Sequence, residues 1–203
     1  MRVKTEARRQ AIIDSAGQLF LEQGYDSVTM AQIAAKVGGS KVTLYNYFAS
    51  KEAVFEAFVI EAGRADMDRL QALPEDAGIV ETLRGLGRNY LLLVLSPAVM
   101  ELDRLIIGEA RRIPELSRIF YENGPRKTLE HLDRNFARLL EKGRLRTAEP
   151  RALTLHFKAL CESDLFERQL WGQTGTPSDK DIDQAVEDAV RVFLHGYAAS
   201  ESS

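Results

Sequence analysis

The sequence predicts an all-α protein, with a small three-helix domain at the N-terminus followed by a larger helical domain. Two observations carry that expectation. Apolar residues recur at intervals of three and four through most of the chain, and no segment alternates as a half-buried strand does. The interruptions are Gly, Pro and capping Ser or Thr, the residues that end and begin helices. The expected domains are 1–52 and 53–203.

Ile12, Ile13, Ala16, Leu19 and Phe20 form the apolar face of a first helix over residues 6–23, which Gly24 stops. Thr29-Met30-Ala31-Gln32 reads as a capping box, followed by Met30, Ile33, Ala34 and Val37 at i, i+3, i+4, i+7. Gly38-Gly39 breaks this helix. Ser40 caps a short third one that carries Val42, Leu44, Tyr45 and Phe48. Ser50, with Glu52 in the first turn, caps a long fourth helix bearing Phe55, Phe58, Val59 and Ala62. A loop at Leu73 to Gly78 follows. Further helices are expected over 79–95, 98–111, 115–122, 125–142, 150–171 and 179–198, with breaks at Pro97, Pro114, Gly124-Pro125, Gly143, Pro150 and residues 172–178. The Ser-rich last few residues are expected to fray.

Of the 203 residues, 45% are hydrophobic and 28% charged, enough apolar material for a core without disulfides, a structural metal or a cofactor as staple. A single cysteine, Cys161, excludes an internal disulfide and fits a reducing compartment. The N-terminal MRVKTEARRQ is basic but lacks the apolar stretch of a secretory signal, and the apolar run Tyr90–Leu95 is too short to span a bilayer. A cytoplasmic protein with no membrane partner is expected. The net charge of −3 argues against a nucleic-acid binder only as a sum. Residues 1–51 hold seven Lys/Arg against four Asp/Glu, or +3, and the remainder holds twenty against twenty-six, or −6. Phosphate attraction is local, screened over about 10 Å, so a basic head on an acidic body suits binding through one end.

The informative stretch is residues 29–51. Two short helices joined by a glycine-containing turn follow the helix-turn-helix plan, whose second helix lies in the major groove of DNA. Leu44 and Phe48 are expected to face inward, leaving Lys41, Thr43, Asn46 and Tyr47 free on the outer side. Lys donates to guanine or phosphate, Thr and Asn read base edges, and a Tyr hydroxyl donates to phosphate oxygens. Thr29, Ser40 and Ser50 stand at helix N-termini, where free N–H groups suit a phosphate.

This stretch resembles the DNA-binding domain of the TetR/AcrR family, whose helix-turn-helix ends in a T-L-Y-x-Y/H-F pattern followed by a short loop and a lysine. Here it reads Thr43-Leu44-Tyr45-Asn46-Tyr47-Phe48-Ala49-Ser50-Lys51-Glu52, with Ala16, Phe20, Gly24, Thr29, Ile33, Ala34, Val37 and Ser40 at matching places upstream. The resemblance covers residues 7–60. Val42 departs from it, because glycine is frequent there, so the preferred operator cannot be carried over. The resemblance implies that Lys41, Val42 and Thr43 approach base edges and that Tyr45, Tyr47 and Lys51 clamp phosphates. Tyr45 and Tyr47 also admit a simpler reading, as packing residues whose hydroxyls reach water. The resemblance further implies a homodimer on a palindromic double-stranded DNA operator, released from it by a small apolar effector.

Beyond residue 60 the resemblance is looser, in helix count and order, with the segment Glu109 to Leu116 similar to one subgroup. The aromatic-rich central helices suit an apolar cavity, with Tyr90, Phe136 and Phe157 as its expected walls. Dimerisation is expected through the last two helices, where Ile182, Ala185, Val186, Ala189, Val190, Phe193 and Tyr197 form a stripe; packing within one subunit is the other reading of that stripe. No catalytic or metal-ligating set is expected. His156 and Cys161 stand five apart, about 500° around a helix, and share no face. A helical small-molecule-binding or catalytic protein that no longer reads DNA remains the alternative.

Overall fold

A computed structural model describes residues 5–72 and 77–199. The expected loop at Leu73–Gly78 and the Ser-rich end fall largely outside the described residues. Among the described residues ten helices follow in order: α1 Glu6–Gln23, α2 Met30–Lys36, α3 Lys41–Tyr47, α4 Lys51–Gln71, α5 Ile79–Val94, α6 Pro97–Glu109, α7 Pro114–Asn123, α8 Pro125–Glu141, α9 Pro150–Leu170 and α10 Asp179–Tyr197. Among the described residues the only β pairing is a single antiparallel bridge, Leu145 with Ala198.

The helices divide between two compact units. The first takes residues up to 62 together with 101–124; the second takes 63–100 and everything from 125 onward. In the first unit, local chemistry starts and stops each helix. The Thr5 hydroxyl accepts the Arg8 backbone N–H at the head of α1, and Gly24, at φ 77°, ends that helix in a conformation other residues rarely adopt. The Thr29 and Gln32 side chains form the reciprocal capping box at α2. Gly38, at φ 69°, makes the turn, and the Ser40 hydroxyl caps α3 through the Thr43 N–H. Ile12, Ile13, Ala16, Phe20, Val28, Ile33, Leu44, Val54 and Phe55 then share one core with Leu102, Ile106, Leu116 and Ile119. Phe20, Tyr25, Phe55 and Phe58 supply its aromatic centre, with ring centroids 5.2–6.4 Å apart.

The second unit packs α5, α8, α9 and α10 together. Leu83, Leu86, Tyr90, Leu132, Phe136, Phe157, Ile182, Val186 and Phe193 lie in its core. At its rim Arg84 holds Glu187 through two hydrogen bonds of 2.5 and 2.7 Å, and Arg88 pairs with Asp179 and Asp183, stitching α5 to α10.

Two expectations are corrected here. Ile182, Val186, Ala189, Val190 and Phe193 are buried in their own subunit's core, so the α10 stripe is not a free dimer face. The outward apolar residues of these last two helices are Leu155 on α9 and Val192 on α10, each about half exposed. In addition, α9 is broken at Ser163, at φ 35° and ψ −122°, with no Gly or Pro to announce it.

Candidate nucleic-acid interface

Helix α3 is only seven residues long, and its orientation follows from which side chains are apolar. Leu44 and Phe48 are buried in the core of the first unit, as expected. That rotation turns Lys41, Val42, Tyr45 and Asn46 outward together, at i, i+1, i+4 and i+5. Val42 and Tyr45 are 72% and 52% exposed, and Val42 presents an apolar surface of the kind that reads a thymine methyl. Thr43 and Tyr47 lie on the flank, half-buried, and not on the free outer side. The Thr43 hydroxyl stands 3.0 Å from that of Ser40. Tyr47 packs partly against the core, and its hydroxyl oxygen accepts the Thr5 N–H at 3.0 Å, which leaves its own O–H free to donate.

Thr29, Ser40 and Ser50 each spend a side-chain oxygen on a cap, accepting the N–H of Gln32, Thr43 and Ala53 at 3.3, 3.1 and 3.2 Å. Lys51 is more deeply engaged than expected. Its ammonium donates to the Tyr25 carbonyl at 2.9 Å and lies 4.1 Å from the centre of the Tyr25 ring. Burial pulls that ammonium below its ordinary pKa, against the opposing pull of Asp26 and Glu52. Next to it, the Tyr25 hydroxyl donates to Glu52 at 3.0 Å, and burial, with Glu52 second, raises the phenol well above its usual value. Lys51 so locks the loop after α1 to the start of α4, with two of its three N–H donors still available to a phosphate.

Of the expected cavity walls, Tyr90, Phe136 and Phe157 are all buried in the core of the second unit. The Phe136 and Phe157 rings meet edge to face at 5.6 Å, and Phe193 closes on both at 5.4 and 5.2 Å. The Tyr90 hydroxyl donates to Glu162 at 2.5 Å, and Lys158 holds the other oxygen of that carboxylate at 2.6 Å. The sequence had singled out neither Glu162 nor Lys158, which read as ordinary charges of an amphipathic helix, and had given Phe193 only as part of the α10 stripe. One helical turn before Phe157, the Thr154 hydroxyl is fully buried and has no hydrogen-bond partner among the described residues. Among the described residues, too, no three His, Cys, Asp or Glu stand together as metal ligands would, and no helix is long and apolar enough to cross a membrane.

Two short capped helices on a glycine turn, with a polar and apolar outer face on the second, define a helix-turn-helix protein. Comparison with known proteins makes the assignment specific. Residues 12–58 match the family model for bacterial regulatory proteins of the tetR family, and residues 81–199 match that for the C-terminal domain of AefR-like transcriptional repressors. The chain is 27% identical to the transcriptional repressor AcnR of Corynebacterium efficiens over 186 residues, 90% of this chain and 92% of that protein. It is 32% identical to the transcriptional repressor Rv1474c of Mycobacterium tuberculosis over 78 residues, which is 38% of this chain and spans only 40% of that relative. Among solved structures, the flavonoid-responsive regulator FrrA superposes with a TM-score of 0.83 at 30% identity, over 96% of this chain and 98% of that one. A TetR-family regulator from Mesorhizobium loti gives the same TM-score at 26% identity, over 97% and 100%. The chain belongs to the TetR family of bacterial transcriptional regulators, DNA-binding proteins and not enzymes.

Proposed function

We propose that this protein is a homodimeric repressor that grips a palindromic operator through α3 and leaves it when a small, mainly apolar molecule binds the second unit. The observation that carries the DNA half is the outer face of α3. Lys41, Val42, Tyr45 and Asn46 project together from a helix fixed on its other side by Leu44 and Phe48. Lys41, Val42 and Thr43 would approach base edges, with Tyr45 and Asn46 alongside; Tyr47 and Lys51, with the caps Thr29 and Ser40, would hold phosphates. Two such heads in a dimer would occupy successive major grooves about 34–36 Å apart. The exposed Leu155 and Val192 on adjacent helices favour α9 and α10 as the face that meets the second copy.

The effector half rests on the aromatic cluster around Phe136 and Phe157 and on two polar handles there, the Tyr90–Glu162 pair and the buried Thr154 hydroxyl. An aromatic molecule carrying a hydroxyl suits such a set. FrrA, by its name responsive to flavonoids, makes phenolic compounds the first class to screen.

The decisive test is selection of bound fragments from random duplex DNA, followed by salt titration on the winning duplex. A palindromic motif should emerge, and affinity should fall steeply with salt. Lys41→Ala and Thr43→Ala should relax base preference, whereas Tyr47→Ala should weaken all duplexes alike. Selection that enriches no motif sinks the reading.

A further inference from the structure

We infer that Arg8, at the start of α1, is a further DNA ligand, donating to a backbone phosphate beside the recognition helix. The inference rests on the DNA-binding reading above and adds to it a residue outside the helix-turn-helix itself.

The first turn of α1 lies against α3 at two points. At one, the Thr5 N–H meets the Tyr47 hydroxyl at 3.0 Å. At the other, one turn further along α1, the Arg8 guanidinium covers Gly39, the residue just before the Ser40 cap. A Cβ at Gly39 would stand 2.7 Å from Arg8 Nη2 and 3.9 Å from its Cζ, so the absence of a side chain there is what admits the guanidinium. One contact reaches Tyr47 near the end of α3, the other the residue that precedes its Ser40 cap.

What the guanidinium lacks at this place is an anion. Its neighbour Arg9 pairs with Glu6 at 3.5 Å and lies 5.4 Å from the centre of the Phe48 ring. Arg8 is half-buried, and among the described residues no carboxylate pairs with it. A guanidinium carries five N–H donors and keeps its charge at any physiological pH. Partly desolvated and uncompensated beside the residue that precedes the recognition helix, it is poised for a doubly charge-assisted bond to a phosphodiester oxygen.

The test is the salt dependence of binding by the full-length protein to its selected duplex, for the wild type, Arg8→Ala, Arg8→Lys and Gly39→Ala. Each phosphate contact contributes about 0.9 to the slope of log affinity against log salt, so losing two in a dimer should flatten the slope by about 1.8. Arg8→Ala should show that flattening while selecting the same motif, and Arg8→Lys should restore most of the slope. Gly39→Ala, which displaces the guanidinium without removing it, should give an intermediate slope. It also serves in place of Arg8→Ala if that variant's thermal unfolding shows a damaged head. A slope unchanged in both Arg8→Ala and Gly39→Ala, on a wild type that binds its motif with strong salt dependence, overturns the role of Arg8 and leaves the DNA-binding reading standing. A wild type that binds no duplex overturns both.

Discussion

A methyl group added at Gly17 would stand 2.4 Å from Cε2 of Phe58, inside the aromatic cluster that centres the first unit. At Gly87 the same methyl meets Cys161 Sγ and Val186 Cγ1 at 3.2 Å and Phe157 at 3.3 Å, contacts that a small adjustment relieves. Alanine gains up to about 1 kcal/mol over glycine inside a helix, whereas overpacking costs about 1–3 kcal/mol. Gly17→Ala should therefore be destabilising by about 1–2 kcal/mol and Gly87→Ala nearly neutral, as read by denaturant unfolding. His131 makes a second test at this scale. Burial, and then Arg134, lowers its pKa below the ordinary 6.5, so the folded chain keeps it neutral where the unfolded chain is protonated. Its contribution to stability is present above pH 6.5 and is lost as pH falls from there toward the lowered folded value. Unfolding midpoints followed across that window should drop less in His131→Gln than in the wild type; equal drops would remove His131 as a cause. Residues that act through neighbours in sequence were legible: Thr29, Ser40 and Ser50 cap as expected because a cap needs only the next three residues. The Lys51–Tyr25 contact was not, since it joins residues 26 apart through a carbonyl and a ring that no spacing rule addresses.

At the scale of the element, helix boundaries agree with the expected ones to within one or two residues, because Pro and Gly mark them chemically. The orientation of a helix was less legible where the pattern was short or ran all round. On seven-residue α3, Val42 and Tyr45 satisfy an apolar spacing as well as Leu44 does, and only the packed core decides which pair faces in. On α10 the stripe was read correctly as apolar, but its neighbour was left open between a second copy and its own subunit, since periodicity is blind to which chain covers it. The consequence is a sharp contrast between variants. Val186→Glu buries a charge without a partner and should abolish cooperative unfolding of the second unit. Leu155→Glu and Val192→Glu alter exposed positions and should leave the fold intact while shifting light scattering from dimer to monomer. Folded dimers in both of these would move the interface elsewhere. The break at Ser163 follows directly on Glu162, the carboxylate that Tyr90 holds, so the one irregular turn of α9 coincides with its polar contact to α5.

For the molecule as a whole, the proposed switch is a linkage between operator and effector. If a phenolic compound favours the DNA-free form, operator must weaken its binding by the same factor that it weakens operator binding, typically about 1–3 kcal/mol. Calorimetric titration of any stabilising compound, with and without operator duplex, tests this; equal affinities in the two would mean that it binds without regulating. The all-helical class and the family were legible because the motif at residues 29–52 is local. The membership of the first unit was not, because it is assembled from two stretches of chain. Leu102, Ile106, Leu116 and Ile119 complete a core begun by Ile12 through Val59. That has a consequence for how the protein is made. As the chain leaves the ribosome, the helix-turn-helix emerges early, yet the share of its core that Leu102, Ile106, Leu116 and Ile119 supply arrives only some sixty residues later. A chain ending before α7 would lack Leu116 and Ile119, and its head should unfold at lower denaturant than the head of the full-length protein.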